Sequence, residues 1–518
     1  MKRYLIEIKN KFDQKYIALF LTLYFIFNII FLTKYPFMHS DESWLSGLSR
    51  LYIEKGTPIV TESFFDLLPR FPHSIKIFFH YIQGLFMMVF GYNLFAFRLI
   101  SLLFSIGSLY FIYKISLRIF NSSKLSFLVT VLLAFDIHFI YTSHFARQEA
   151  VILFFMIFVF FYYIKYEDSL KKSIVLGIIT GLNIGIHPNS LFIAAVLGSM
   201  YIYDIVFGKK STLKSMLVYV IVTGSFAAIF VGLNLYFDPN FFQNYKEFGD
   251  QFNVFAKPTD RIGEIKNFYL KLFYQVSGTY YIPNIKLQLL LFSIIYIISF
   301  VRFLIKKNTD KFRFLGMLIF IIGAINITYI VIGRYNQTSI IFLFPFFWIL
   351  FAENIRSFKY KNILILFLSL VLLIISIFSI IPYLNNDYKN YLENIGDYID
   401  DESTVLANLN TEYYFHNNTL YDYRNLHFLK ENDMSFSEYI QKNNIEYIIY
   451  PEEMDFIYNS RPVWNFIYGN LYYYYEDMES YIKENCQLIH QFDSPYAMRL
   501  SMYMYEDVWN VKIYKVTN

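Results

Sequence analysis

The chain has 518 residues, of which 56% are hydrophobic, 21% aromatic and only 17% charged. Soluble domains do not show this balance, and long apolar runs place the chain among polytopic membrane proteins. The net charge is +4 and basic residues cluster in short loops, so we expect no nucleic-acid partner. The single cysteine, Cys486, excludes an internal disulfide and a cysteine-based metal cluster.

Apolar runs that could cross a bilayer recur through residues 1–382, which we predict to form a membrane domain. They begin near Tyr16, Arg98, Leu125, Ala150, Ser173, Leu191, Lys214, Ile285, Phe314, Ser339 and Asn362. The run Ile75–Phe90 is also apolar, but it has only about 16 residues, which is short for a span. If it crossed the membrane, every later loop rich in Lys and Arg would change sides and break the positive-inside rule.

We therefore predict a juxtamembrane helix at Ile75–Phe90 and about 11 transmembrane helices. The N-terminus is then cytoplasmic in a multi-pass protein of the cytoplasmic membrane, and a large first outer loop covers residues 34–97.

Residues 383–518 are charged, rich in tyrosine and without a span, which predicts a small extracytoplasmic α/β domain at the C-terminus. STVLANLN and IEYIIYP indicate short buried strands, with a helix at SFSEYIQKNN between them. Alternation in AMRLSMYMYEDVWNVKIYKV predicts a closing hairpin.

Asp41 and Glu42 lie a few residues after the first span, on the predicted outer side. Adjacent carboxylates at a lipid boundary are costly without a use, and one of them can act as a general base. We expect burial to raise its pKa. Arg98, Arg147 and Arg334 begin or end spans on the same side, where their guanidinium groups suit a lipid-linked phosphate.

Ordinary structural roles compete with these assignments. Ser40-Asp41-Glu42 is also typical of a helix start. Arg98 and Arg147 could snorkel to the interface, although Lys and Arg are scarce on the predicted outer side. An ion pair of Glu149 with Arg147 two positions away is possible, but helical geometry does not favour it.

The order of several motifs resembles the GT-C glycosyltransferases, in particular protein O-mannosyltransferases and lipid A aminoarabinose transferases. The resemblance covers the first third of the chain in detail and the rest by layout. The matching positions are Asp41-Glu42, Phe71-Pro72-His73-Ser74, Gly91-Tyr92-Asn93, Arg98-Leu99, Ala146-Arg147-Gln148-Glu149, and Arg334, Tyr335 and Pro345. One departure is FPHS, where the family has a basic residue before two prolines, so that His73 or Lys76 would have to replace it.

The resemblance implies a GT-C membrane fold and transfer of a sugar from a polyprenyl-phosphate donor, with inversion and with Asp41 as the base. Glu42 would orient Asp41 or the acceptor, and Arg98, Arg147 and Arg334 would bind the phosphate. Substrate contacts are expected from His73, Lys76, Glu149 and Tyr335. The acceptor could be lipid, glycan or protein. No metal is assigned, and a divalent metal stays open because relatives differ in metal use.

Two other functions compete with this interpretation. A transporter or flippase of lipid-linked sugars usually carries polar groups at mid-membrane on broken or repeated helices, whereas the charges here lie at one surface. A non-catalytic envelope-assembly protein would use the C-terminal domain for binding.

Overall fold

The computed structural model describes residues 2–58, 60, 62, 66–67, 75–250, 258–276, 280–306, 313–333, 335–417, 419–499 and 508–517. Over this part, the apolar runs form helices and the C-terminal region forms a small sheet domain. The helices up to the C-terminal domain are α1 (Lys2–Ile30), α2 (Ser40–Lys55), α3 (Ile77–Phe90), α4 (Leu94–Phe120), α5 (Ser123–Ala134), α6 (Ile137–Ser143), α7 (Glu149–Lys165), α8 (Leu170–Ile184), α9 (Leu191–Tyr203), α10 (Leu213–Phe237), α11 (Phe241–Asp250), α12 (Pro258–Tyr274), α13 (Lys286–Lys306), α14 (Arg313–Ile332), α15 (Phe344–Ile355), α16 (Lys361–Leu384) and α17 (Tyr388–Gly396).

Seven helical segments of the described chain are long and apolar enough to cross a membrane, or eight if the bent pair α5–α6 counts as one span. The other predicted spans coincide with α1, α7 and α8, whose apolar helical segments are shorter. α10 leaves large apolar side chains such as Ile221 and Ile229 exposed, as a lipid-facing helix does. The chain is therefore a multi-pass α-helical membrane protein.

The segment Ile77–Phe90 forms α3, a helix of 14 residues. At 1.5 Å per residue it is roughly 21 Å long, which is less than the hydrocarbon thickness of a bilayer. His80 and Gln83 on this helix are buried, and both contact the Ser49 hydroxyl of α2, at 2.7 and 2.6 Å. α3 thus packs its polar face against α2, while Met88 and Val89 on its other face stay exposed.

A bend of 69° separates α5 from α6. Asp136 causes a new helix to begin there, because its carboxylate caps α6 by accepting a hydrogen bond from His138 N at 3.0 Å. Beyond α6, the His144 ring is fixed by Asn28 Oδ1 at 2.9 Å and by the carbonyl oxygen of Tyr35 at 3.1 Å. The bend and this anchor bring residues 144–148 next to the segment that enters α2.

The C-terminal domain contains a five-stranded sheet in the order β2-β1-β3-β5-β4. β1, β2 and β3 are parallel, whereas β5 runs antiparallel to both β3 and β4. The elements are β1 (Val405–Ala407), β2 (Leu420–Asp422), α18 (Phe436–Lys442), β3 (Tyr447–Pro451), α19 (Glu453–Ser460), α20 (Leu471–Asn485), β4 (Cys486–Ser494) and β5 (Trp509–Val516).

The predicted strands at STVLANLN and IEYIIYP and the helix between them are confirmed as β1, β3 and α18. The predicted closing hairpin is partly wrong, because its first strand is β4, which ends before the alternating segment begins. A shift of register between Leu488 and His490 interrupts the alternation within β4, which hides this strand in the sequence.

Candidate functional site

α2 starts beside the bundle with its acidic residues in the first turn. His39 is the N-cap: its Nδ1 accepts a hydrogen bond from Asp41 N at 3.0 Å, and its own backbone N–H donates to Glu42 Oε2 at 3.0 Å. This reciprocal arrangement fixes where the helix begins, and the positive end of the helix dipole favours both carboxylates. The helix-start interpretation of Ser40-Asp41-Glu42 is therefore confirmed, without excluding a chemical role.

Glu42 is completely buried and is held by four donors. Arg98 donates to it from Nε and from Nη2, each at 2.8 Å, and Ala146 N adds a bond of 2.9 Å to the one from His39 N. Both side chains of the Glu42–Arg98 pair are 0% exposed. The Nη1 atom of Arg98 donates to the carbonyl oxygens of Leu32 and Pro36, both at 2.9 Å. Glu42 thus joins the start of α2 to the segment that carries Arg147.

Asp41 has a different environment from its neighbour. Its side chain is 21% exposed, and Oδ2 accepts hydrogen bonds from Arg147 Nη1 at 2.6 Å and from the Tyr280 hydroxyl at 2.5 Å. Arg147 also donates to the Tyr280 hydroxyl and lies over the Tyr280 ring, with its guanidinium carbon 4.6 Å from the ring centroid. The His39 ring also stacks on the Tyr280 ring, with ring centroids 4.7 Å apart.

The prediction that burial raises the pKa of this base is wrong, because the pKa of Asp41 is lowered overall. Burial of Asp41 alone would raise its pKa, but Arg147, His39, Tyr280 and Lys76 together bring it well below its usual range. Opposite charge and hydrogen bonds to the ionised form outweigh desolvation here. Asp41 is therefore a carboxylate at any physiological pH, and its side chain is partly exposed.

Arg147 is itself shared between two acids. α7 begins only at Glu149, so Arg147 lies in the turn before the helix, and its Nη2 reaches Glu149 Oε1 at 3.3 Å. The expectation that helical geometry disfavours this pair is wrong for that reason. Glu149 Oε1 also accepts a bond from the Thr338 hydroxyl at 2.8 Å, which connects α7 to the segment before α15.

Of the remaining predicted residues, one lies near Asp41, one contacts α12 instead, and two lie outside the described residues. Lys76 precedes α3 at a backbone φ of 64°, and its charge acts on Asp41. Tyr335 instead donates a hydrogen bond to the carbonyl oxygen of Arg261 and packs on Phe268, so its described contacts are with α12. His73 and Arg334 lie outside the described residues.

Tyr280 is the participant that the sequence did not reveal. It lies in the connection between α12 and α13, is 5% exposed, and contacts both Asp41 and Arg147. Within the described ranges, no group of three or more His, Cys, Asp or Glu side chains is arranged to hold a metal ion.

Comparisons with known proteins agree with this architecture. Residues 73–234 match the family described as dolichyl-phosphate-mannose-protein mannosyltransferase. Among solved structures, the chain is similar to ArnT from Cupriavidus metallidurans, which was solved with bound undecaprenyl phosphate. That similarity has a TM-score of 0.53 at 11% identity and covers 84% of this chain and 96% of ArnT.

It is also similar to the oligosaccharyltransferase of Archaeoglobus fulgidus, solved with zinc and sulfate, with a TM-score of 0.50 at 13% identity. That match covers 86% of this chain and 69% of the archaeal protein. No curated protein sequence matches the chain significantly. The fold is that of GT-C membrane glycosyltransferases, and together with the family match it indicates a glycosyltransferase of this type.

Proposed function

We propose that this protein transfers a sugar from a polyprenyl-phosphate donor to an acceptor on the outer face of the cytoplasmic membrane, with inversion at the anomeric carbon. The observation that carries the proposal is that the two adjacent carboxylates differ in exposure and in their partners. Glu42 is 0% exposed and fully engaged, whereas Asp41 is ionised, 21% exposed and in contact with a guanidinium group.

Asp41 is the proposed general base. An acceptor hydroxyl or amine attacks the anomeric carbon, its proton passes to Asp41, and the bond from that carbon to the phosphate oxygen breaks. Displacement from the face opposite the leaving group inverts the anomeric configuration. The polyprenyl phosphate leaves with the bonding electrons and needs cationic partners as its charge develops.

Arg147 is the proposed phosphate ligand closest to this base. Its guanidinium neutralises Asp41, so a phosphate that binds Arg147 competes with Asp41 for it. As that contact weakens, the pKa of Asp41 rises toward its ordinary value and the carboxylate becomes a better base. Donor binding and base activation are coupled in this scheme, and Glu149 keeps Arg147 oriented throughout.

Arg98 is better suited to a positioning role than to direct contact with phosphate. Its Nε and both terminal nitrogens already donate to Glu42 and to two carbonyl oxygens, and its side chain is 0% exposed. Through Glu42 it holds Asp41 and Arg147 at the same place. Lys76 is the other proposed phosphate ligand, since its charge acts on Asp41 from the start of α3.

Several features support the donor and the sidedness. ArnT, to which the chain is similar over 84% of its length, was solved with undecaprenyl phosphate. The positive-inside rule assigns the loops that carry Asp41, Arg147 and Tyr280 to the outer side of the membrane, together with residues 383–518 as an extracytoplasmic domain.

The decisive experiment measures transfer by purified protein from a synthetic polyprenyl-phosphate sugar to envelope acceptors, with the anomeric configuration of the product assigned by NMR. Asp41→Asn is expected to abolish transfer while the protein stays folded and binds the lipid. Asp397→Asn, at an exposed position after α17, is the matched control and should keep full activity. Transfer that survives in Asp41→Asn would remove the base assignment, and lipid binding without any transfer by the wild type would favour a carrier.

A further inference from the structure

The carboxyl edge of the parallel strands in the C-terminal domain faces the first outer loop. After β1, the Tyr413 hydroxyl lies 3.0 Å from Ser46 Oγ of α2, and Glu412 pairs with Arg50 at 3.3 Å. After β2, Asn425 Oδ1 accepts a bond from Leu67 N at 3.3 Å. Residues that follow these strands are therefore directed toward the helix that carries Asp41.

Arg424 lies on this edge, in the 3-10 segment Tyr423–Phe428 directly after β2. Its side chain is exposed to solvent, yet burial in the surrounding protein and the nearby Arg499 both lower its pKa, while Asp41, Asp422 and Tyr280 act in the opposite direction. Since Asp41 and Tyr280 both act on Arg424, this exposed side chain lies near the candidate site.

Arg424 also differs from the other arginines of the region in its charge balance. Acidic side chains pair with Arg50, Arg98, Arg147 and Arg499. Asp422, the nearest acid in sequence to Arg424, gives both carboxylate oxygens to Arg499, each at 2.5 Å. Over the described part of the chain, the Arg424 guanidinium has neither an ion-pair partner nor a hydrogen-bond acceptor.

Gly469 allows this placement. It adopts a φ of +60°, and a Cβ atom there would lie 2.5 Å from the carbonyl oxygen of Arg424 and 2.8 Å from His427 N. Only glycine permits so close an approach at this φ without strain. The Arg424 backbone is thus fixed by its neighbours, while its guanidinium stays available.

From this geometry we infer that Arg424 is a ligand for the phosphate of the polyprenyl-phosphate donor and product, contributed to the membrane-embedded site by the C-terminal domain. The inference rests on the proposed function. A planar guanidinium without an acidic partner can offer two parallel N–H bonds to phosphate oxygens. It supplies positive charge without a carboxylate partner, whereas Arg98 and Arg147 are already neutralised by Glu42 and Asp41.

The test compares the affinity of the purified full-length protein in detergent for undecaprenyl phosphate, with no acceptor present. Arg424→Gln is expected to weaken binding by about tenfold or more, since a charge-assisted contact is lost. Arg424→Lys should retain part of the affinity, because lysine keeps the positive charge but cannot donate two parallel N–H bonds to the phosphate. Lys442→Gln, at an exposed position in the last turn of α18, is the control and should bind like the wild type.

The outcomes separate this inference from the proposed function. If the wild type and Arg424→Gln bind undecaprenyl phosphate equally, the assignment of Arg424 is overturned while the proposed function stands. If Arg424→Gln affects only the KM of an anionic acceptor and not lipid affinity, the assignment is likewise overturned. If the wild type binds no undecaprenyl phosphate, the proposed function itself fails. Should Arg424→Gln not fold, Arg424→Lys replaces it in the same measurement: weaker lipid binding than the wild type supports the assignment, and equal binding overturns it.

Discussion

Replacement of Glu42 by Gln should destabilise the protein far more than replacement of its neighbour Asp41 by Asn. Glu42→Gln keeps the shape of the side chain but removes the charge opposite Arg98, which is 0% exposed. Breaking a buried ion pair by removing one partner costs about 3–5 kcal/mol, because the other charge stays buried without compensation. Asp41 is 21% exposed, and the loss of a partly solvated pair costs about 1 kcal/mol.

The free energy of unfolding can be measured by titrating the protein in mild detergent micelles with sodium dodecyl sulfate and following helix content by circular dichroism. Glu42→Gln should shift the unfolding midpoint strongly and Asp41→Asn only slightly. The double variant Glu42→Gln/Arg98→Met should lose less than the sum of the two single variants, by about 1 kcal/mol or more, because the two residues act as one unit.

Sugar transfer should be affected in the opposite order, more by Asp41→Asn than by Glu42→Gln. Asp41→Asn is expected to be folded and inactive, whereas Glu42→Gln should regain measurable transfer under conditions that stabilise the fold. If Glu42→Gln unfolds within about 1 kcal/mol of the wild type, the reasoning about the buried pair is refuted. An additive double variant would refute it as well.

Two further predictions concern the C-terminal domain. Burial raises the pKa of Glu412 to about 7 although Arg50 and Tyr92 lower it, so the folded state holds a proton that the unfolded carboxyl, near 4.5, releases earlier. Stability should therefore fall as the pH rises from about 4.5 to 7, and Glu412→Gln should remove up to roughly 3 kcal/mol of that decline; equal pH profiles of thermal unfolding for the two proteins would contradict this. Gly469→Ala should cost about 1–3 kcal/mol of stability, because a Cβ atom meets the Arg424 backbone at a positive φ. Gly263→Ala, where a Cβ meets nothing within 4 Å, is its control in thermal unfolding, and equal melting temperatures for these two variants would count against the argument.

The sequence predicted the membrane class and the β1–α18–β3 core of the C-terminal domain because these depend on local patterns. Apolar runs, short strands with branched residues and a charge bias between loops are each visible within a few dozen residues. The strand β4 was missed because the register shift between Leu488 and His490 disrupts the alternation by which an amphipathic strand is found.

The sequence revealed those site residues whose charge is unfavourable next to a membrane. Asp41 and Glu42 are adjacent acids after a span, and this alone marked them, but nothing in their order indicates which is buried with an arginine and which stays accessible. That division depends on Ala146 and Arg98, which approach from other elements. Tyr280 is one of 48 tyrosines in the chain and lies in a connection without a pattern, so only the folded chain reveals it.

The pairing of Arg147 with Glu149 shows a different limit. Spacing rules for ion pairs apply within a helix, and the helix start between these residues changes the rule that applies. The bounds of elements are the least predictable feature of a sequence, so a site built at a boundary escapes such rules.

The contact between Leu67 and Asn425 joins residues 358 positions apart. Leu67 is 8% exposed and packs in the core of the C-terminal domain. During translation Leu67 is therefore synthesised long before the residues that it packs against. A nascent chain whose membrane helices are inserted already carries Asp41 and Arg147 but lacks the domain that packs against α2 through Glu412 and Tyr413. Under the proposed function, products truncated before residue 383 are therefore expected to insert into the bilayer without consuming the lipid-linked donor.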